Sequence, residues 1–388
     1  MESSTSPLSG LYIPTQLSKL YYGPSTVSEH LVSCLPTSSS KAYIITGSSL
    51  SKTPLISDVE KTLGDHHAGT FARIGQHAPV ADIDAATDKV LADEKIDTII
   101  SIGGGSPIDS AKLISYRWNE RRSSSSSSSS SPNDKGKYLH HIAIPTTLSA
   151  AECSGGAGYT DSSGLKTGVF APGLVPSVVL YDAHFISHTP PHLFLSTGLR
   201  ALDHALETLY HPTATDLTRS ITVAAAGDLF AYLPKYKADP HDETAVTKLQ
   251  LAAFASLGFL GLNLKGGLGL SHALGYALGS PYSIPHGVTS CLTLGKVVQL
   301  KAKTDKVAAG QIVRACEAVG VKRTGDDQAD AINVGKAVES LVERLGLKTD
   351  LNHYKVDKSE TGTIVKNATR QTEGPVFDAV KGVVETLW

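Results

Sequence analysis

The stretch GLRALDHALETLY, Gly198 to Tyr210, places three chemically capable side chains on one expected helix. Arg200, His204 and Glu207 recur at i, i+4 and i+7, a spacing that stacks them along one side. A histidine one turn from a carboxylate suggests a divalent metal, but the residue one turn before His204 is a cation. Either this helix belongs to a metal site or it holds an anion. Two further histidines follow, His272 in GLSHALGYALG and His286 in SIPHGVTS. Three imidazoles from separate segments can converge on a metal, although a histidine taken singly is more often a hydrogen-bonded structural residue. The chain has 15 histidines, so their number alone decides nothing.

A second kind of chemistry is written in ISIGGGSPIDSAK, an apolar run, then Gly103, Gly104, Gly105 and Ser106, then a helix expected to open at Pro107. Glycines let the backbone approach a ligand closely, and a helix N-terminus offers free N–H groups and a favourable dipole. Together they suit a pyrophosphate, although the spacing is not GxGxxG; a plain strand-to-helix turn is the alternative. The segment IPTTLSAAECSGGAGYTD sets the hydroxyls of Thr146, Thr147 and Ser149 just after another apolar run. Ligands bind at that end of strands in open α/β sheets, and the same residue types also make caps and turns.

The elements that must position these groups fall into two textures. KAYIITG, TIISIGGG, LHHIAIPTT and SVVLYD are apolar, β-branched runs of the sort buried in parallel sheets, and DIDAATDKVLADEK between them has helical spacing. Strands alternating with helices imply βαβ units and a largely parallel sheet. After about residue 190, DLTRSITVAAAGDLFAYLPKY, AVTKLQLAAFASLGFLGLNL and DKVAAGQIVRACEAVG carry helical periodicity instead. The expectation is an α/β dinucleotide-binding domain over residues 1–187 and an all-helical domain over 188–388, with the boundary near Pro190 and Pro191. The polar Ser-rich stretch 121–137 is expected to be a disordered surface loop.

Bulk properties narrow the class. At 388 residues, 41% hydrophobic and 19% charged, the chain fits a globular protein of two domains. A net charge of -2 offers no basic field for nucleic acid or anionic lipid. Cys34, Cys153, Cys291 and Cys316 are scattered without ligand spacing, as in reduced intracellular proteins. The opening MESSTSPLSGLYIP lacks the charged and apolar regions of a signal peptide, and no run is long enough to span a membrane. A cytoplasmic protein with a small-molecule substrate, and without nucleic-acid or membrane partners, is expected.

Five motifs, GGGSPIDSAK, IPTTLSAAE, GLRALDHALE, GLSHALGYALG and PHGV, are collinear with those of the group III, iron-containing alcohol dehydrogenases. The resemblance runs from Tyr21 to Val298, and within that superfamily HAPV, IPTTLSAAE and VPSVVLYD are most similar to maleylacetate reductases. It implies a dehydroquinate synthase-like fold, with an N-terminal dinucleotide-binding domain, a helical C-terminal domain, an active site in the cleft between them, and a homodimer. It further implies NAD(P)H bound by Gly103, Gly104, Gly105 and Ser106, with Thr146, Thr147 and Ser149 beside it and Lys166 near the nicotinamide ribose. Gly47 stands where NAD-preferring members carry an acidic ribose ligand; its loss admits a 2′-phosphate, with Ser48 and Ser49 as contacts, and leaves the choice between NADH and NADPH open.

The resemblance also shows a departure. His204, His272 and His286 match the family's three metal-binding histidines, but Arg200 occupies the position of its aspartate, as maleylacetate reductases also lack that carboxylate. A guanidinium has no lone pair to offer and repels a cation. Asp203 points about 100° away from His204 round the helix and is not expected to replace the missing ligand. Tyr276 stands where many members have a further histidine. The expected activity is therefore metal-free reduction of a carbonyl or activated alkene in a small acidic or aromatic-derived substrate. Arg200 would bind an oxyanion or carboxylate, and His204, His272, His286 or Tyr276 would donate the proton. Arg200 could instead merely brace the helix by pairing with Asp203 or Glu207. Two rival activities are a Zn- or Fe-dependent alcohol dehydrogenase using His204, His272 and His286, and a redox-inactive descendant catalysing dehydration, decarboxylation or cyclisation.

Overall fold

A computed structural model describes residues 11–125, 137–164, 166–259 and 262–388. It divides the chain into two units, one of Thr15–Gly198 with Lys235–Leu251, the other of Met1–Pro14, Leu199–Pro234 and Ala252–Trp388. The first unit holds every strand of the described residues. In chain order its elements are β1 (Lys19–Gly23), α1 (Thr26–His30), β2 (Lys41–Thr46), α2 (Pro54–Leu63), β3 (His67–Phe71), α3 (Val80–Leu91), β4 (Ile96–Gly103) and α4 (Gly105–Ser125). There follow β5 (His140–Pro145), β6 (Gly156–Thr160), β7 (Lys166–Phe170), β8 (Val178–Asp182), α5 (Ala183–Ile186) and the start of α6 (Pro191–Leu209).

Six strands form a parallel sheet in the order β1-β8-β5-β4-β2-β3, and β6 and β7 form a separate antiparallel hairpin. Side chains alternate across the sheet. Ile44, Ile100, Ile102, Ile142 and Ile144 pack with Leu55, Ile56 and Val59 of α2 on one face. Tyr43, Ile45 and Ile99 pack with Ile83, Ala86 and Val90 of α3 and Ile114 of α4 on the other. Burial on both faces explains why these strands read as unbroken apolar runs. Register matters for function. Thr46 pairs with Ile102, and Gly103 with Pro145, so Gly47, the glycine turn and Thr146 all leave the sheet at its carboxyl edge. The disordered loop expected over 121–137 is corrected at its start, where α4 continues through Arg121 to Ser125; residues 126–136 of that expectation lie outside the described residues.

One histidine of this sheet couples folding to pH. His141 on β5 is buried, and its Nε2 lies 2.8 Å from Ser101 Oγ. Burial, reinforced by Lys112 and His140, pushes its pKa down to about 3. The unfolded chain binds this proton below about pH 6.5 and the folded chain does not, so the residue costs stability as pH falls. His141→Gln is expected to remove about 2 kcal/mol of the stability lost between about pH 6 and pH 4, read from urea unfolding at each pH.

The second unit takes the remainder of α6 and parts of α7 (Asp216–Ala238) and α8 (Glu243–Leu257). It continues with α9 (Leu270–Tyr282), α10 (His286–Thr304), α11 (Lys306–Ile312), α12 (Asp327–Leu345), α13 (Thr361–Thr369) and α14 (Pro375–Val384). Leu274, Ala277 and Leu278 of α9 pack with Val288 and Leu292 of α10, Ile364 and Val365 of α13, and Val380 and Val384 of α14. The link from α9 to α10 is short. Ser283 adopts φ 56 and donates its N–H to Gly279 O and Ser280 O, and Pro285 then precedes α10. His286 thereby becomes the first residue of α10. No helix among the described residues is long and apolar enough to cross a membrane.

Candidate active site

The glycine turn of the α/β unit is tightly built. Gly103 has φ +140, and a Cβ there would lie 2.9 Å from Pro107 Cγ. A Cβ on Gly104 would lie 3.0 Å from Thr147 Cγ2, so only glycine fits without displacing that wall. Thr146 N donates to Gly103 O at 3.0 Å, and Thr147 Oγ1 to Ser149 Oγ at 3.2 Å. The turn and the threonine segment thus form one surface at the start of a long helix with no acidic side chain in its first turn. Pro107 does not open that helix as expected; α4 begins at Gly105, because the glycines already allow helical hydrogen bonding from there.

Ser106 is engaged differently from a pure phosphate ligand. Its Oγ accepts from His77 N at 3.0 Å, anchoring a turn in which His77 and Ala78 both have positive φ, 64 and 51. Thr160 holds the same turn through Oγ1 to His77 O and N to Ala78 O, both 3.2 Å. Lys166, opposite Thr160 in the hairpin, is near enough to lower His77, whose pKa falls chiefly through burial. Lys112, fully buried, donates to Ala151 O at 2.6 Å and Gly156 O at 2.7 Å and lies 3.5 Å from Asp109. Asp109 in turn accepts from Gly158 N at 3.1 Å. Gly47 O accepts from Ser51 N at 3.2 Å and Ser48 O from Ser51 Oγ at 3.0 Å, leading into a short helical turn. The pinning role of Lys112 escapes sequence reasoning, although DSAK, an acid and a lysine three residues apart in the helix after the glycines, is the signal for it.

The helical unit gathers the other predicted residues. His204 and His272 have ring centroids 4.9 Å apart, and Tyr276 and His286 5.8 Å apart at an interplanar angle of 81°. The Arg200 guanidinium carbon lies 5.9 Å from the Tyr276 ring centroid. These contacts form two groups within one unit, His204 with His272 and Arg200 with Tyr276 and His286, joined through Asp203, which lies 3.6 Å from Arg200 and 3.2 Å from His272. Arg200 Nη1 lies 3.3 Å from Ser290 Oγ and 3.6 Å from Asp203 Oδ2. These are its only hydrogen bond and ion pair among the described residues, so Nε and Nη2 donate to none of them.

Asp203 corrects the expectation that its angle sets it apart. Its Oδ2 accepts from Ser290 Oγ at 2.6 Å and Ser271 Oγ at 2.9 Å, and its Oδ1 lies 3.2 Å from His272 Nδ1. The offset from His204 is real, but α9 brings His272 to the Asp203 side. Burial alone would raise the Asp203 carboxyl; His272, Arg200 and Ser290 together hold it well below the usual carboxylate range.

Glu207, expected on the same side of the helix as Arg200 and His204, caps another helix. Gly269 N and Ser271 N donate to it at 2.8 and 2.7 Å, His272 N at 3.2 Å, His272 Nδ1 at 2.9 Å and Tyr210 OH at 3.2 Å. A Cβ on Gly269 would overlap its carboxylate. The two imidazoles consequently differ. Burial and Arg200 press His272 down, but the Asp203 charge and the bonds to Asp203 and Glu207 outweigh them and raise its pKa. Burial, His272 and Arg200 drive His204 well below the ordinary value, so it stays neutral. His272 Nε2 is buried and has no hydrogen-bond partner among the described residues.

The chain thus combines an α/β unit built on a parallel six-stranded sheet with a helical unit, and comparison gives the family. Residues 18–183 match the family described as Iron-containing alcohol dehydrogenase, and residues 194–380 its companion, Fe-containing alcohol dehydrogenase family, C-terminal. The chain belongs to the iron-containing alcohol dehydrogenase family, a family of dehydrogenases and reductases. It is 28% identical over 296 residues to a maleylacetate reductase of Sphingobium indicum, covering 76% of this chain and 75% of the relative. It is 28% identical over 338 residues to the NAD-dependent methanol dehydrogenase of Bacillus methanolicus, covering 84% and 85%. The solved maleylacetate reductase of Agrobacterium tumefaciens shares the fold with a TM-score of 0.79, at 21% identity and 99% coverage of both chains.

Proposed function

We propose that this chain is an NAD(P)H-dependent reductase of a carbonyl or activated alkene in a small acidic or aromatic-derived substrate, working without a bound transition metal. The observation that carries the reading is Arg200: a guanidinium, 7% exposed, whose Nε and Nη2 donate to no described residue. Neither nitrogen is one of the fully buried unpartnered atoms of the described residues, so both can take an acceptor from outside, and a carboxylate or developing oxyanion would bind these two side by side. Reduction adds a hydride to carbon and a proton to oxygen or to the neighbouring carbon, while the nicotinamide, when bound, supplies the hydride and is oxidised. His272 is the best-equipped proton donor. Its Nδ1 is held by Asp203 and Glu207, its pKa is raised, and its Nε2 is uncommitted. His204, neutral beside it, is equipped to accept a hydrogen bond rather than to supply charge.

The residues fit the dinucleotide better than they fit iron or zinc. Gly103, Gly104, Gly105 and Ser106 at the head of α4, with Thr146, Thr147, Ser149 and Lys166, offer backbone donors, hydroxyls and a cation to an anionic cofactor. Gly104→Ala is expected to weaken NADPH binding about tenfold, because the added Cβ must push Thr147 aside. A fluorescence titration superimposable on wild type would remove the turn from the cofactor site. For a metal, Asp203, Glu207 and His272 bring one ligand atom each within 4.8 Å of one another. Those carboxylates already accept hydroxyl, backbone and imidazole donors, and Arg200 stands 3.6 Å from Asp203. An ion there would displace protons that the site already binds.

The deciding experiment combines metal analysis of the purified protein with NADPH and NADH oxidation on maleylacetate and small aldehydes, followed at the nicotinamide absorbance. Turnover that survives chelation is expected. Near-stoichiometric zinc or iron lost in His272→Ala would overturn the metal-free reading. A product formed regardless of the nicotinamide redox state would overturn the reductase.

A further inference from the structure

We propose that Tyr276 is the specificity-determining residue of this site, its exposed ring selecting flat, conjugated carboxylic acids over saturated ones of the same length. The inference rests on Arg200 as the anion anchor and concerns what must lie beside an anion bound there. Arg200, His204 and His272 are all at least nine-tenths buried, whereas Tyr276, on the same cluster, is 55% exposed. The guanidinium is closed in on most sides. A Cβ on Gly275 would lie 3.0 Å from its Nη1, so the α9 backbone leaves no room there. Asp203 and Ser290 occupy Nη1, and the guanidinium carbon lies 5.9 Å from the centroid of the Tyr276 ring.

The Nε–Nη2 edge is what is left. A carboxylate accepting from that edge lies in the guanidinium plane, and the exposed Tyr276 ring, its centroid 5.9 Å from the guanidinium carbon, is within reach of the rest of the molecule. His286, edge-on at 81°, limits how far that ring can turn. A planar conjugated chain keeps its face on the ring, while a saturated chain, staggered at every carbon, loses that contact.

The test uses equilibrium binding, so it does not depend on turnover. Calorimetry gives the dissociation constants of acetylacrylate and its saturated counterpart levulinate for the full chain and for two variants. Wild type is expected to prefer acetylacrylate, Tyr276→Ala to lose about tenfold of that preference, and Tyr276→Phe to keep it. An exposed side chain can be truncated with little effect on folding. The same affinity ratio in Tyr276→Ala as in wild type would overturn the proposal. So would collapse of the ratio in Tyr276→Phe, which would assign the effect to the hydroxyl, or failure of wild type to bind either acid. Preferential binding without any reduction would instead leave the ring's role standing and sink the reductase reading.

Discussion

Replacing Glu207 with alanine is expected to destabilise the protein by about 3–5 kcal/mol, although Glu207 touches no expected ligand. The helix α9 begins after Gly269, which has no side chain to cap it, and Glu207 reaches across from α6 to do so. Removing it strands the N–H groups of Gly269, Ser271 and His272 in the interior, at about 1–3 kcal/mol for each buried donor left unmade. It also removes one of the two carboxylates that hold His272, leaving Asp203 to compensate alone. Glu207→Gln keeps an acceptor but turns an NH₂ toward donors, so a smaller loss, about 2 kcal/mol, is expected. Urea unfolding measures both. A cost below about 1 kcal/mol for Glu207→Ala would show that α9 does not depend on this cap.

The cap also explains what could and could not be read from the chain. β2, β4, β5 and β8 are legible as apolar runs because both their faces are buried. β1 and β3 lie at the two ends of the sheet order, half-buried, and KLYYG and HAGTF carry no such run. The hairpin of GAGYT and KTGVF is hidden for the same reason: its glycines and exposed positions lack the alternation that marks a strand. In the site, Arg200, His204, His272, Tyr276 and His286 could be named because each belongs to a local motif. The work of Asp203 and Glu207 could not, since their partners arrive more than 60 residues later. One trace did exist. LSHALGYALG follows glycines and no Ser, Thr, Asp or Asn, so its first N–H groups had to find an acceptor elsewhere.

Asp203 alters the electrostatic picture that the sequence alone suggests. Arg200 does not stand as a naked cation, for Asp203 answers part of its charge from 3.6 Å. Bracing and anion binding are therefore not alternatives. Nη1 serves the first, and Nε and Nη2 remain for the second. A guanidinium can divide its labour in this way because its donors are fixed in a planar fork; an ammonium cannot.

That division predicts the outcome of three substitutions at one position. Arg200→Ala is expected to lower kcat/KM on acidic substrates by about 10²–10³, the scale of losing an oxyanion-binding donor. It should cost little stability, because Asp203 keeps Ser271, Ser290 and His272 as partners. Arg200→Lys should recover less than a tenth of the loss, since a single ammonium cannot serve Asp203 and a substrate at once. Arg200→Asp puts a coordinating carboxylate one turn before His204 and removes the repelling charge. It should take up zinc or iron near stoichiometrically, where wild type holds little. Steady-state kinetics and elemental analysis of the four proteins read both effects. Equal metal content in wild type and Arg200→Asp would mean that the guanidinium does not exclude the ion. An Arg200→Ala enzyme as active as wild type would mean that the unclaimed edge binds nothing in the reaction.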